Sequence, residues 1–292
     1  MSRQSCAISE RSAKSIITLS KLPDADYVVN PYIGCELACL YCYASFMGRT
    51  VGHGITDWGK YVVAKTNAAA LFEKELPKLL RQNPRPSLFL SSVTDPYQPA
   101  EKEYQLTRAI LQSLIKHRYD GTIGILTKSP LILRDLDLLQ QLPTAEVGLT
   151  ITTTDDAVSR FLEVKAPSAS SRITTLETLS RTGIKTYAFL GPLLPHYLHD
   201  LDKLDTLIKT IKDAGASYVY VEHINLRRYI LERLDPVFAT EAPETGIAYS
   251  PKHLKSMRHE LDKEIIQLLK KHCLPLRLGQ TLYHPEDAPK SV

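Results

Sequence analysis

Six short, nearly continuous apolar runs recur along this chain, at residues 28–33, 87–93, 122–128, 146–152, 185–190 and 217–223. Runs of that length fit strands buried on both faces, as in a parallel sheet. The stretches between them predict helices. Over residues 101–117, Leu106, Ile110 and Leu114 recur every fourth position, and Leu111 and Ile115 widen the stripe. Further helices are expected at 67–82, broken or kinked near Pro77, and at 131–142, 168–182 and 200–214. Gly183 and Gly215 stand just past two of these patterns, where a C-terminal glycine belongs. Strand and helix alternating in this way call for a parallel sheet with right-handed crossovers. A doubly wound sheet and an open six-stranded partial barrel both satisfy the pattern.

The loop after the first run narrows the choice. Cys35-Glu-Leu-Ala-Cys39-Leu-Tyr-Cys42 puts three of the five cysteines within eight residues, directly after Gly34. Thiolates that close can clamp one inorganic centre, and soft sulfur selects an Fe–S cluster or zinc. A structural zinc site normally draws two ligands from each of two loops. Here the remaining cysteines are Cys6 and the distant Cys273, so the spacing argues for a cluster, with a zinc site completed by His53 as the alternative. A disulfide framework fits poorly, because the cysteine total is odd and residues 1–10 lack the apolar centre of a secretory signal. Three ligands on a four-iron cluster leave one iron open to bind a substrate. A partial (β/α)6 barrel gathers the cysteine loop and the other strand ends at one mouth. The α/β class is therefore read as that barrel, carrying a helical C-terminal extension.

Three segments follow from this reading: a polar N-terminal stretch (1–25), the core barrel (26–225) and an extension packed on it (226–292). In the extension, 226–234 and 251–272 read as helices, 276–283 as strand-like and 286–292 as a frayed tail. No apolar run approaches the ~18–20 residues of a membrane span, so no membrane partner is expected. The expected location is the cytoplasm, where thiols stay reduced. A net charge of +4 does not by itself indicate nucleic acid. The basic clusters Arg227-Arg228 and Lys270-Lys271-His272 read as solvated helix faces.

C-x-x-x-C-x-x-C with an aromatic residue before the third cysteine resembles the signature of the radical S-adenosylmethionine (SAM) superfamily. Asn30 to Tyr43, Ser91 to Pro99, Thr127-Lys-Ser129 with Arg134-Asp135, and Ala166-Pro-Ser168 resemble its spore photoproduct lyase-like branch, in that order along residues 25–225. The resemblance implies a [4Fe–4S] cluster on Cys35, Cys39 and Cys42, SAM as second cofactor, and a strongly reducing electron donor such as flavodoxin or ferredoxin. It implies reductive cleavage of SAM to a 5′-deoxyadenosyl radical that takes hydrogen from a substrate. By branch resemblance that substrate is a nucleic acid or nucleobase. The alternatives are a small metabolite or peptide, and a non-catalytic metal-binding module.

SAM presents an amine, a carboxylate, two ribose hydroxyls and an adenine. By resemblance, Lys128 and Thr94 hold the carboxylate and amino ends. Asp95 stands beside Thr94, either as a cofactor ligand or as the start of a turn before Pro96. Thr150 and Thr152 near the end of the fourth run offer hydroxyls to ribose, or merely reflect strand propensity, and Asp155 reads as the cap of a following helix. Gly191 lets backbone approach adenine closely. Glu222 and His223 end the sixth run as substrate ligands or as a structural pair. Tyr41 and Tyr43, by resemblance, relay a radical, or else they pack around the cluster and exclude water. Ser92 occupies the place assigned to the branch's hydrogen-donating cysteine. An O–H bond is far stronger than S–H, so this catalytic position implies radical machinery without lesion repair.

Overall fold

The computed structural model describes residues 6–241, 249 and 251–283. The expected tail at 286–292 lies outside the described residues. The strands in chain order are β1 (Ala7–Arg11), β2 (Ile17–Leu19), β3 (Tyr27–Val29), β4 (Tyr32–Gly34), β5 (Tyr61–Lys65), β6 (Leu88–Leu90), β7 (Ile123–Thr127), β8 (Ala145–Thr150), β9 (Lys185–Leu193) and β10 (Tyr218–His223). The larger sheet runs β10-β9-β8-β7-β6-β3-β2. Its six strands from β3 to β10 are parallel and stand in chain order, with β2 antiparallel on the β3 edge. A doubly wound sheet would reverse its order at a switch point. This one does not, and it has the course of a partial barrel.

Helices α1 (Ala68–Gln82), α2 (Glu101–Tyr104), α3 (Leu106–Lys116), α4 (Leu136–Leu139), α5 (Asp156–Leu162), α6 (Ala169–Arg181) and α7 (Leu201–Asp213) fill the crossovers. Strand residues such as Leu88, Ile125, Val147, Ala188 and Val221 pack with Phe72, Leu76, Leu111, Leu176 and Leu207 of the helices in one buried core. Two expected helices are interrupted. Gln105 takes φ +48° and separates α2 from α3, and residues 130–135 form a 3-10 turn ahead of α4. Pro77 is accommodated inside α1. Helix α5 lies outside the expected helical ranges but has the expected cap: the Asp155 carboxylate accepts the Ala157 amide at 2.7 Å.

The first apolar run splits at Asn30-Pro31, since proline cannot donate to a ladder. Beyond it β4 leaves the barrel, pairs antiparallel with β5, and β5 pairs parallel with β1 in a small second sheet. That sheet launches the cysteine loop. Gly34 closes β4 at φ +85°, and a Cβ there would lie 2.5 Å from the Tyr61 carbonyl oxygen, so the turn requires glycine.

At the other end, α8 (Arg228–Glu241) and α9 (Pro251–Lys271) lead to a segment bridged to β10 at Val219–Leu276 and Glu222–Leu282. The last barrel strand is thereby covered, which removes an open edge. The Asp262 carboxylate of α9 fastens the arrangement, lying 2.7 Å from His223 Nε2, accepting Thr281 Oγ1 at 2.7 Å and accepting the Tyr283 hydroxyl. The carboxylate partner of His223 is thus Asp262 of α9 rather than the neighbouring Glu222 of the expected pair. Among the described residues no helix is long and apolar enough to cross a membrane.

Candidate active site

Cys35 and Cys39 are buried, Cys42 is half-buried, and none is in a disulfide. Their loop is gripped from three directions. From the β6 end, Thr94 Oγ1 donates to the Gly34 carbonyl at 2.5 Å and accepts Gln98 Nε2 at 2.9 Å, while Gln98 Oε1 accepts the Glu36 amide at 2.9 Å. From the segment after α5, the Leu162 carbonyl accepts the Leu40 amide at 2.8 Å, and the Lys165 amide donates to Leu37 at 3.1 Å. From α8, Arg233 donates to the carbonyls of Cys39 at 2.7 Å and Cys42 at 3.4 Å, and the Tyr229 hydroxyl donates to the Tyr43 carbonyl at 3.2 Å.

Burial pushes all three thiols up, Cys39 to about 12, against the opposing pull of Lys128 on Cys39 and of Arg233 and Lys128 on Cys42. A pocket that resists bare thiolates but places cations beside them suits ligands that a metal centre deprotonates. Among the described residues, no three His, Cys, Asp or Glu side chains converge as ligands of a single ion. A four-iron cluster asks instead for one thiolate on each of three irons, and the donor set fits that group. His53, fourth ligand in the zinc alternative, stacks flat on Tyr61 with ring centroids 4.0 Å apart and lies 3.8 Å from Asp57.

Beneath the loop lies a buried charged network. The Tyr41 hydroxyl donates to Glu163, which also accepts Ser159 Oγ at 2.9 Å and Thr152 Oγ1 at 3.4 Å. Arg172 donates to Glu163, and also to Ser159 Oγ at 2.9 Å and to the Thr150 carbonyl at 3.1 Å. Lys128, one residue past β7, sends its ammonium over the Tyr41 ring, 5.7 Å from the centroid, and makes no hydrogen bond through it among the described residues. Across from it, burial lifts the Glu222 carboxyl to about 7, with Lys128 acting in opposition.

Asp95 is buried and turned onto the chain: it accepts Thr127 Oγ1 at 2.6 Å and the amides of Lys128 at 2.8 Å and Tyr97 at 2.9 Å. Those bonds tie the β6 and β7 ends together, the turn-forming alternative in an extended form. Thr94 likewise braces the cysteine loop. The hydroxyl of Thr152 faces Glu163, and the Thr150 carbonyl faces Arg172. Gly191 leaves room for its own neighbour, since a Cβ there would lie 1.8 Å from the Phe189 ring. The Tyr43 hydroxyl donates to the Ser92 carbonyl, and Ser92 Oγ accepts Asn30 Nδ2 at 3.4 Å. Arg134 and Asp135 form a brace, with Arg134 2.9 Å from Glu101 and Asp135 2.7 Å from Arg108. Glu163, Arg172 and Arg233 escaped the sequence reading. The only signal near them was Ala166-Pro-Ser168, whose Pro167 carbonyl accepts Arg172 Nε at 2.9 Å.

Comparison with known proteins gives a consistent result. Residues 29–208 match the Radical SAM superfamily. An uncharacterized protein of Methanocaldococcus jannaschii is 40% identical over 216 residues, 74% of this chain and 76% of that one. An uncharacterized protein of Mycobacterium tuberculosis (strain H37Rv) is 34% identical over 223 residues, 72% of this chain; the match spans 63% of the mycobacterial protein, less than two thirds of its length. Among solved structures, spore photoproduct lyase complexed with dinucleoside spore photoproduct superposes with a TM-score of 0.69, over 95% of this chain and 82% of that one, at 14% identity. That likeness is one of fold.

Proposed function

The chain belongs to the radical SAM superfamily, and from that premise we propose that it is an iron–sulfur enzyme that cleaves SAM reductively and takes a hydrogen atom from a substrate. The observation that carries this reading is three free, largely buried cysteines on one loop, beside a lysine ammonium that acts on Cys39 and makes no hydrogen bond among the described residues. The family implies a [4Fe–4S] cluster and SAM; Cys35, Cys39 and Cys42 would hold the cluster, and when bound it supplies the electron that breaks the sulfonium C–S bond. The residues around it bind, orient and exclude water. Arg233 fixes two of the cysteine carbonyls and places positive charge beside a centre that carries thiolate charge. Tyr41, held by Glu163, which Arg172 in turn fixes, closes the floor of the site. Lys128 is the cation for the SAM carboxylate. A low-potential donor such as flavodoxin or ferredoxin completes the reaction.

Lys128→Ala should weaken SAM binding to the reconstituted protein by roughly 1.5–3 kcal/mol, the range for a charged hydrogen bond, with little change in the unfolding transition. Isothermal titration with SAM reads this directly. Equal affinity in the variant would show that Lys128 holds no part of the cofactor and would remove the main support for the reading.

For the substrate, the fold shared with a lyase that binds a dinucleoside lesion supports a nucleic acid or nucleobase. Ser92 argues against lesion repair itself, because its O–H bond is too strong to return a hydrogen atom. The wild-type protein with reductant and SAM should therefore leave a dinucleoside spore photoproduct unrepaired, and Ser92→Cys is the variant in which repair would emerge. Multiple-turnover release of two thymines by the wild type would contradict this assignment. The small net charge of +4 favours a second reading, a small metabolite or peptide. A salt-sensitive affinity for DNA or RNA separates the two.

A further inference from the structure

Between α5 and the 3-10 turn Pro195–His199 lies a cavity of about 510 Å³, within the ~300–1,000 Å³ typical of small-molecule sites. Tyr197, Phe238 and Tyr249 form a buried floor, flanked by the half-buried rings of Phe161 and His196. The rings follow one another without a break. Centroids are 5.6 Å apart for Phe161–Phe238, 4.6 Å for Phe238–Tyr249, 6.2 Å for Tyr249–His196 and 4.9 Å for His196–Tyr197. The cavity neighbours the site already described: Leu162, one of its lining residues, gives its carbonyl to the cysteine loop, and the Tyr197 hydroxyl donates to the carbonyl of Thr152 at 2.8 Å.

The polar groups decide what such a wall can hold. His196 Nδ1 lies 3.0 Å from the Tyr249 hydroxyl, leaving Nε2 to meet a ligand. Burial drops His196 to about 4, so at neutral pH the ring is uncharged, with one nitrogen a donor and the other an acceptor. At the mouth the Asp155 carboxylate caps α5 and Lys203 is paired with Asp200 at 2.8 Å, so neither is set up as a phosphate clamp. An uncharged planar ring that stacks on its face and hydrogen-bonds at its edge answers these features. An aromatic side chain offers less edge to His196 and leaves much of the volume unfilled.

We propose that this cavity receives a nucleobase, presented as a nucleoside or within a strand, stacked on the aromatic wall and contacted at its edge by His196. The proposal deepens the nucleobase reading above and rests on it, by naming where a base is held.

The test uses the full chain, reconstituted anaerobically, with no reductant. Binding is measured for adenosine, thymidine, a short single-stranded oligonucleotide and N-acetyltryptophanamide. Nucleosides should bind and N-acetyltryptophanamide should not. Tighter binding of the oligonucleotide would identify a strand as the source of the base, and equal or weaker binding would identify a free nucleoside. Because SAM itself carries adenosine, the competition is read with thymidine, which SAM at a concentration just filling its own site should not displace. Ala157→Trp plugs the mouth from an exposed position on α5, and Phe238→Leu removes one ring. Phe238→Leu should weaken nucleoside binding by about fivefold or more, as expected for loss of one base–aromatic stack, and Ala157→Trp should block it, with circular dichroism and iron content unchanged in both. The proposal is overturned if the tryptophan amide binds as well as the nucleosides, if SAM just filling its own site displaces thymidine, or if a folded Ala157→Trp binds like wild type. Nucleoside binding without SAM cleavage would sink the enzymatic reading and leave the pocket standing; SAM cleavage without nucleoside binding would do the reverse.

Discussion

Replacing Cys35, Cys39 or Cys42 with alanine should abolish the brown Fe–S absorbance of anaerobically reconstituted protein, whereas Cys6→Ala and Cys273→Ala should leave it intact. The wild type should hold about four irons per chain, the stoichiometry of a single four-iron cluster. Each of the three cysteines is free, and all sit on a loop held by Thr94, Leu162 and Arg233. Removing one sulfur removes one of three protein ligands. Cys273 is exposed and follows α9, and Cys6 precedes β1. Iron and sulfide analysis with visible spectra checks the result. Stoichiometric zinc in protein purified without oxygen, together with no iron uptake, would contradict it.

Glu163→Ala should be the most destabilising single change near the site, by about 3–5 kcal/mol, the cost of leaving one member of a buried ion pair uncompensated. Both side chains are fully buried, at 0% exposure. Burial pushes the Glu163 carboxyl up, but Arg172 and Lys128 pull it down further, and the net position is below the usual 4.5. A carboxyl depressed in the folded state stabilises above its unfolded pKa, and that contribution fades as pH falls from about 4.5 through the folded value. The loss in Glu163→Ala should therefore be full at pH 7 and shrink in acid. A Glu163→Leu/Arg172→Met double variant should recover part of it, because no buried charge is then orphaned. Urea unfolding at several pH values reads both effects. A loss below about 1 kcal/mol would place the pair among ordinary surface bridges.

What the sequence disclosed follows from how local each signal is. The barrel strands could be read because each is a contiguous apolar run, and the cysteine loop because its ligands lie within eight residues. Strand β1 is exposed at all five positions and carries no burial pattern; its partner β5 belongs to a sheet that the alternation does not announce. Glu163 and Arg172 belong to a turn and a helix, where charged residues ordinarily face water, and only the tertiary fold buries them together. Arg233 reaches the loop from nearly two hundred residues away. Thr94 and Asp95 show a different limit. Residue type and position marked them, but their bonds to the Gly34 carbonyl, Thr127 and the Lys128 amide join residues distant in sequence, which only the tertiary fold discloses.

Whether this chain performs radical chemistry is decided by the fate of SAM itself. Anaerobically reconstituted wild-type protein given dithionite and SAM should form 5′-deoxyadenosine, with none formed when reductant is omitted or when Cys39 is alanine. SAM that stays intact with reductant, in protein shown to carry four irons, would contradict the proposal that this chain is a radical SAM enzyme.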